Sequence, residues 1–260
     1  MLFYGGALLN RVKWPRKSKI AVILQEYAKY IKNIAKNIAG RVTVVFDGYL
    51  EKSTKDHIHK KRYPVSSMQM IVTTESEIQC DKDIFLSNPE NKQIFIINLL
   101  AQHLADMEIH VQLCKRDADV MIVQSAVQKA MEKNVMIIGD DTDLLVLAVH
   151  FIEQLKPPNK IHFHRQASNT YVAVECVHNT VPMPVRTHIL PIHTLSGCDT
   201  VSQLFGIGKD RLYKLMCKNP SLISKLESFS HQPYNEESVK ESGLNIIGRL
   251  YNMKDTSYED

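Results

Sequence analysis

Val135-Met136-Ile137-Ile138-Gly139-Asp140-Asp141-Thr142-Asp143-Leu144-Leu145-Val146-Leu147 is an apolar run that ends in three acids and then turns apolar again. Its first half reads as a buried strand and its second half as the start of a helix, with the acids at the junction. Like charges gathered at such a point repel one another unless a cation neutralises them. Asp47, Asp117, Asp119 and Asp199 also lie at or just beyond segments that read as strand ends or helix starts. With Asp141 and Asp143 they make six carboxylates able to meet on one edge of a sheet, which points to a divalent-metal site.

Outward from this stretch, strands and helices alternate. Ile20, Ile23, Leu24, Tyr27, Ile31, Ile34 and Ile38 recur at helical spacing over 20–39, and Gly40 supplies a stop. Arg41-Val42-Thr43-Val44-Val45-Phe46-Asp47-Gly48 is β-branched and apolar up to Asp47, the signature of a buried strand. The spacing predicts a helix over 91–104, a strand over 109–114, a helix over 118–131 and a further helix over 243–251. Residues 51–70 are polar and basic without a sustained period. This βαβα order predicts an α/β fold, a mostly parallel sheet with helices on both faces. Ligands of such sheets collect at the carboxyl ends of the strands. Taken singly, each acid reads as a helix cap or a loop residue, and Asp117 or Asp119 suits the helix that begins near Ala118. The joint placement after three separate segments carries the argument for a site.

Composition narrows the function classes. The chain has 260 residues, 44% of them hydrophobic, enough for one large core or a core with a small helical extension. No apolar run reaches the roughly 20 residues of a bilayer span, and the first residues lack the basic leader of a signal peptide. Five cysteines without a C-x-x-C pair disfavour a disulfide framework or a zinc knuckle. An intracellular protein is expected. The net charge of +4 is unevenly spread: residues 1–62 hold 14 Lys and Arg against 4 Asp and Glu, an excess of +10, so the remainder is −6. A polyanion gripped by the first part and processed at acids in the second is one reading, and a solvated basic helix face at Lys29, Lys32 and Lys36 is the other. The pairs His57/His59 and His162/His164 read as surface or edge-strand histidines, and Trp14 as a packing anchor. Gly206-Ile207-Gly208 followed by Lys209, between two short helical patterns, makes a turn whose amides can face a phosphate.

These motifs resemble the flap-endonuclease (XPG-type) branch of the PIN-like nuclease superfamily. The resemblance runs from about Tyr4 to Lys209: Val45-Phe46-Asp47-Gly48, the basic residues Lys55, Lys61 and Arg62, Asp117-Ala118-Asp119, Asp141-Thr142-Asp143, and Gly197-Cys198-Asp199 seven residues before Gly206. It implies a PIN-like Rossmannoid core over 1–193 with an arch-like insert around 51–90, and a helix-two-turn-helix with a C-terminal helical extension over 194–260. It implies a two-metal site for Mg2+ or Mn2+ on Asp47, Asp117, Asp119, Asp141, Asp143 and Asp199, with Lys55 and Arg62 stabilising the scissile phosphate. Lys61, Gly206, Ile207, Gly208 and Lys209 would hold the nucleic-acid backbone. The implied activity is metal-dependent, structure-selective hydrolysis of DNA, more than RNA, and a monomer in the nucleus more than the cytoplasm is expected. Gly5-Gly6-Ala7-Leu8-Leu9, Phe85-Leu86-Ser87-Asn88 and Gly139-Asp140-Asp141-Thr142-Asp143 resemble relatives spread by mobile elements in animal genomes. One position departs: the family's first strand ends in Asp, where this chain has Tyr4. The alternative is therefore a catalytically degenerate scaffold that binds nucleic acid or protein. The Asp47-Gly48 and Gly139-to-Asp143 phrases also resemble haloacid-dehalogenase-type phosphatases, but the nucleophilic Asp of those enzymes is replaced by Val45.

Overall fold

The computed structural model describes residues 1–36, 40–47, 72–115, 117–198, 201–230, 233 and 235–253. They form two compact units, Met1–Leu144 with Pro157–Ala173, and Leu145–Lys156 with Val174–Asp260. The 193/194 boundary drawn from the sequence falls inside the second.

The first unit is built on a six-stranded sheet. Its strands are β1 (Leu2–Tyr4), β3 (Thr43–Phe46), β5 (His110–Leu113), β6 (Val135–Gly139), β7 (Ile161–Arg165) and β8 (Thr170–Ala173), in the spatial order β5-β3-β1-β6-β7-β8. All neighbours are parallel except β7 and β8, which form an antiparallel hairpin. The short pair β2 (Ser18–Lys19) and β4 (Glu77–Ile78) lies apart as a second small sheet. The mostly parallel α/β sheet expected from the βαβα order is present, with β1 between β3 and β6.

Alternation along the strands divides the apolar residues between two faces. Phe3, Val44, Phe46 and Ile138 face a core completed by Leu8, Ile23, Leu24, Tyr27, Phe85, Phe95 and Leu104. These come from helix α1 (Gly5–Arg11), helix α2 (Ile20–Ala35), helix α3 (Lys82–Ser87) and a continuous run from helix α4 (Pro89–Gln93) to helix α5 (Ala101–Asp106), whose middle, Ile94–Leu100, is wound as a π-helix. On the other face, helix α6 (Ala118–Ala130) packs on β1, β3, β6 and β7 and buries Ala118, Ile122, Val123 and Ala126. Trp14 is the expected anchor: its ring centroid lies 5.4 Å from that of Phe85 and 5.1 Å from that of Phe95, and its Nε1–H donates to the Tyr27 hydroxyl at 3.0 Å.

Helix α1 starts immediately after β1, so the chain must turn against Phe46. A Cβ on Gly5 would stand 2.2 Å from Phe46 Cδ1, inside a fully buried ring. Gly5→Ala should therefore cost about 1–3 kcal/mol of stability, the usual penalty for overpacking a filled core. Urea titration of the variant checks this, and an unchanged midpoint would refute the clash.

The reading of His162 and His164 as surface or edge residues needs correction. β7 is an interior strand, and His164 is 6% exposed, its ring stacked on Tyr171 with centroids 4.1 Å apart and its Nε2 3.2 Å from Asn169 Oδ1. His57 and His59 lie outside the described residues.

The second unit is helical. Its core holds Val181, Val185, Ile192, Ile207, Leu212, Met216, Leu226, Ile246 and Leu250. Helix Glu236–Leu250 is longer than the stretch expected over 243–251, because Asn235 caps it by accepting the Ser238 N–H. Glu153 joins two neighbouring helices by accepting from His178 Nε2 at 2.7 Å and pairing with Arg186 Nε at 2.6 Å. Burial acts to raise its carboxyl, but those partners outweigh it and hold the group below its ordinary 4.5. A carboxylate depressed on folding stabilises fully above the unfolded value and loses that contribution as pH falls through the folded one. Glu153→Gln should therefore flatten the acid limb of the stability curve below about pH 4.5, as read by urea midpoints from pH 7 to pH 3. A parallel acid limb in the variant would refute it.

Candidate metal and phosphate site

The carboxyl ends of β5, β3, β1 and β6 lie side by side, and each of the acids described here follows one of them. Asp47 is the first residue beyond β3, and its Oδ1 accepts the Ala118 N–H at 2.9 Å, tying the strand end to the start of α6. Asp117 caps α6, its Oδ1 accepting the Asp119 N–H at 3.1 Å. Beyond β6 the same device recurs: Asp141 Oδ1 accepts the Asp143 N–H at 3.0 Å where helix Thr142–Leu155 begins. Two acid-x-acid pairs thus open two helices. The first acid of each fills the capping role considered for it, and the second sits in the first turn, where the helix dipole favours negative charge. Asp119 is the most enclosed of the set, at 5% exposure.

Tyr4 ends the central strand β1 in the middle of this arc. Burial, followed by the carboxylates of Asp119, Asp47, Asp117 and Asp141, raises its phenol far above the ordinary 10.0, so the side chain stays neutral. Four acids drawn from the ends of three strands therefore act on one hydroxyl, and Asp143 is tied to this group through Asp141. The ring lies over Gly6, where an added Cβ would be 3.0 Å from Tyr4 Cζ.

Two further residues belong to this edge and were not singled out from the sequence. Cys114 follows β5 as Asp47 follows β3, and burial together with Asp47, Asp117 and Asp119 pushes its thiol up to about 11. Its position at the end of the apolar run 109–114 was the available signal. Arg11 binds Asp140 through Nε at 2.9 Å and Nη2 at 2.8 Å, and Asp140 Oδ1 accepts the Ala167 N–H at 2.7 Å. Of three consecutive residues, Asp140 to Thr142, the first is thus engaged in holding the β7–β8 turn and the second faces the arc.

The remaining candidates divide as follows. Asp199, Lys55, Lys61 and Arg62 lie outside the described residues. In the second unit, Gly206 has φ +67°, Ile207 is 2% exposed within the core, and Gly208 precedes helix Lys209–Lys218 as a cap without a side chain. Burial of Ile207 leaves main chain as the part of that residue a ligand can meet. Lys209 Nζ stands 3.5 Å from His193 Nδ1.

All five described acids offer carboxylate oxygens, the hard donors suited to Mg2+ or Mn2+ rather than to softer metals. In type and strand-end position they fit such ions. Among the described residues, no three His, Cys, Asp or Glu side chains are grouped closely enough to enclose an ion as they stand. The neutral phenol of Tyr4 occupies the middle of the arc.

No family model matches the chain, and no curated protein matches it in sequence. Solved structures do. The fold is that of the flap endonucleases. It aligns with bacteriophage T5 D15 flap endonuclease, in a pseudo-enzyme-product complex with DNA and metal ions, at TM-score 0.57 and 14% identity over 97% of this chain and 88% of that one. The catalytic core of Rad2 in complex with a DNA substrate aligns at TM-score 0.55 and 13% identity over 95% and 70%. Human GEN1 in complex with Holliday junction DNA aligns at 0.54 and 12% over 96% of this chain and 56% of that one. Identities this low speak to the fold alone.

Proposed function

We propose that this protein is a divalent-metal-dependent, structure-selective nuclease that hydrolyses phosphodiester bonds in DNA in preference to RNA. The observation that carries the reading is the arc of carboxylates at the ends of β3, β5 and β6, beside the point where the strand order reverses across β1. Asp47, Asp117, Asp119, Asp141, Asp143 and Asp199 would hold Mg2+ or Mn2+. Such ions, when bound, supply charge neutralisation at the phosphate and activation of water for in-line attack. The chain's own contribution is placement: Asp117 and Asp141 cap the helices that carry Asp119 and Asp143, and Asp47 fixes the start of α6. Lys55 and Arg62 would counter the charge of the scissile phosphate. Lys61 and the turn Gly206 to Lys209 would hold the backbone of the nucleic acid, with 194–260 acting as a helix-two-turn-helix extension of a core spanning 1–193. The flap-endonuclease fold, with neighbours solved on DNA, supports this reading, as does the basic excess of residues 1–62. We further assign the protein as a monomer of the nucleus, related to mobile-element proteins. Among the described residues no helix is long and apolar enough to cross a membrane.

Tyr4 favours a second reading, a scaffold that binds nucleic acid without cutting it. A phenol held neutral among four carboxylates neither adds charge nor offers the oxygen anion a cation prefers. Labelled single-stranded, duplex and 5′-flap DNA incubated with the purified protein and Mg2+ or Mn2+ decides between the two. Cutting that disappears in EDTA supports the nuclease, and tight binding without cutting supports the scaffold.

A further inference from the structure

Phe205 is the most exposed large apolar residue among those described, at 93%, against 64% for Met183 and 60% for Tyr171. Leaving a whole phenyl ring in water forgoes the stabilisation that burying it would bring. The backbone that carries the ring is held at a fixed place. The Tyr251 hydroxyl donates to the Phe205 carbonyl at 2.8 Å, Gly206 turns the chain at φ +67°, and Ile207 is locked into the core two residues on. We propose that Phe205 is a stacking platform for a nucleobase, a contact that reads the flat face of a base in single-stranded nucleic acid.

The surroundings favour a base over a protein side chain. A protein interface needs an apolar patch of several hundred Å2, whereas the exposed residues flanking Phe205 are Ser202, Gln203, Gly206, Gly208 and Lys209, besides Val201. One aromatic ring suffices for a base, since every base has a π face. The ten-residue helix Lys209–Lys218 begins four residues later behind Gly208, which brings no capping side chain; Asp210 in its first turn is paired with Lys214 at 2.6 Å, so the positive helix end favours a polyanion on this side. An apolar anchor preset beside a polyanion-favouring helix start matches a strand that offers bases and phosphates in alternation.

This inference rests on the nucleic-acid reading above, and binding measured in EDTA separates it from cleavage. Fluorescence anisotropy with labelled single-stranded DNA should show Phe205→Ala binding about tenfold more weakly, with the salt dependence unchanged because no charge is lost. Phe205→Trp should keep the affinity within about twofold, and its indole should be quenched on binding relative to the wild type, which carries only Trp14. Heparin, a polyanion without bases, should bind wild type and Phe205→Ala alike. Wild-type affinity in Phe205→Ala, an unquenched indole at saturation, or an equal loss on heparin would each overturn the stacking role while leaving metal-dependent cutting to stand by itself. Quenching without cutting would retain the platform and remove the nuclease, and no binding to any nucleic acid would remove both.

Discussion

If the proposed nuclease activity holds, Asp141→Asn combined with Asp143→Asn should lower metal-dependent cleavage of 5′-flap DNA by roughly a hundredfold or more while the protein stays folded. The expected loss follows from removing two charges from the five described carboxylates proposed to neutralise a cation. The fold persists for a local reason. Asp141 caps its helix by accepting the Asp143 N–H through Oδ1, and an Asn side-chain oxygen accepts the same bond about equally well. Fewer like charges at the strand edge also means less repulsion. The variant should therefore show an unchanged circular dichroism spectrum and a melting midpoint at or above that of the wild type. Cutting at the wild-type rate in a folded double variant would end the assignment of this edge as the reacting site.

Tyr4→Asp acts in the opposite direction on the cation and against the protein without it. The substitution puts a fifth charge among Asp119, Asp47, Asp117 and Asp141 and removes a ring packed over Gly6. Burying an uncompensated charge costs on the order of 3 kcal/mol, so in EDTA the variant should melt well below the wild type. Added Mg2+ should recover much of that loss, because a cation bound by the folded state stabilises it by about 1.4 kcal/mol for each tenfold gain in affinity at saturating concentration. Thermal melts of both proteins over a magnesium series provide the measurement. Equal magnesium shifts in the two would show that Tyr4 does not limit cation binding, and the scaffold reading would lose its main support.

Much of the sheet was legible because fully buried parallel strands are written as continuous apolar runs. Thr43–Phe46 and Val135–Gly139 have that character, and each is followed by an acid that marks where the run stops. Helix α6 announced itself through Asp117, whose capping role and site role coincide. The β7–β8 hairpin was hidden, since His162, His164, Thr170 and Tyr171 form no apolar run and His164 is buried by a ring stack and an Asn contact that only folding brings about. The same limit governs the acids. Nothing local separates Asp140 from Asp141, and the difference is made by Arg11, which reaches Asp140 from the far end of α1. Tyr4 stood out as a departure at a strand end, but its encirclement by four carboxylates depends on three other strands.

The placement of β1 also governs the order in which the first unit can assemble. Leu2 pairs with Thr43 on one side and with Ile137 on the other, so the middle of the sheet is joined by contacts that span most of that unit's sequence. Closing such loops is entropically costly before any packing rewards it, which makes sheets of this kind slow to form. During synthesis, β1 and β3 emerge long before β6, and until Val135–Gly139 has left the ribosome the inner edge of Leu2–Tyr4 remains open. The nascent chain therefore carries an unpaired apolar strand edge until β6 emerges, the condition under which chaperone capture competes with aggregation.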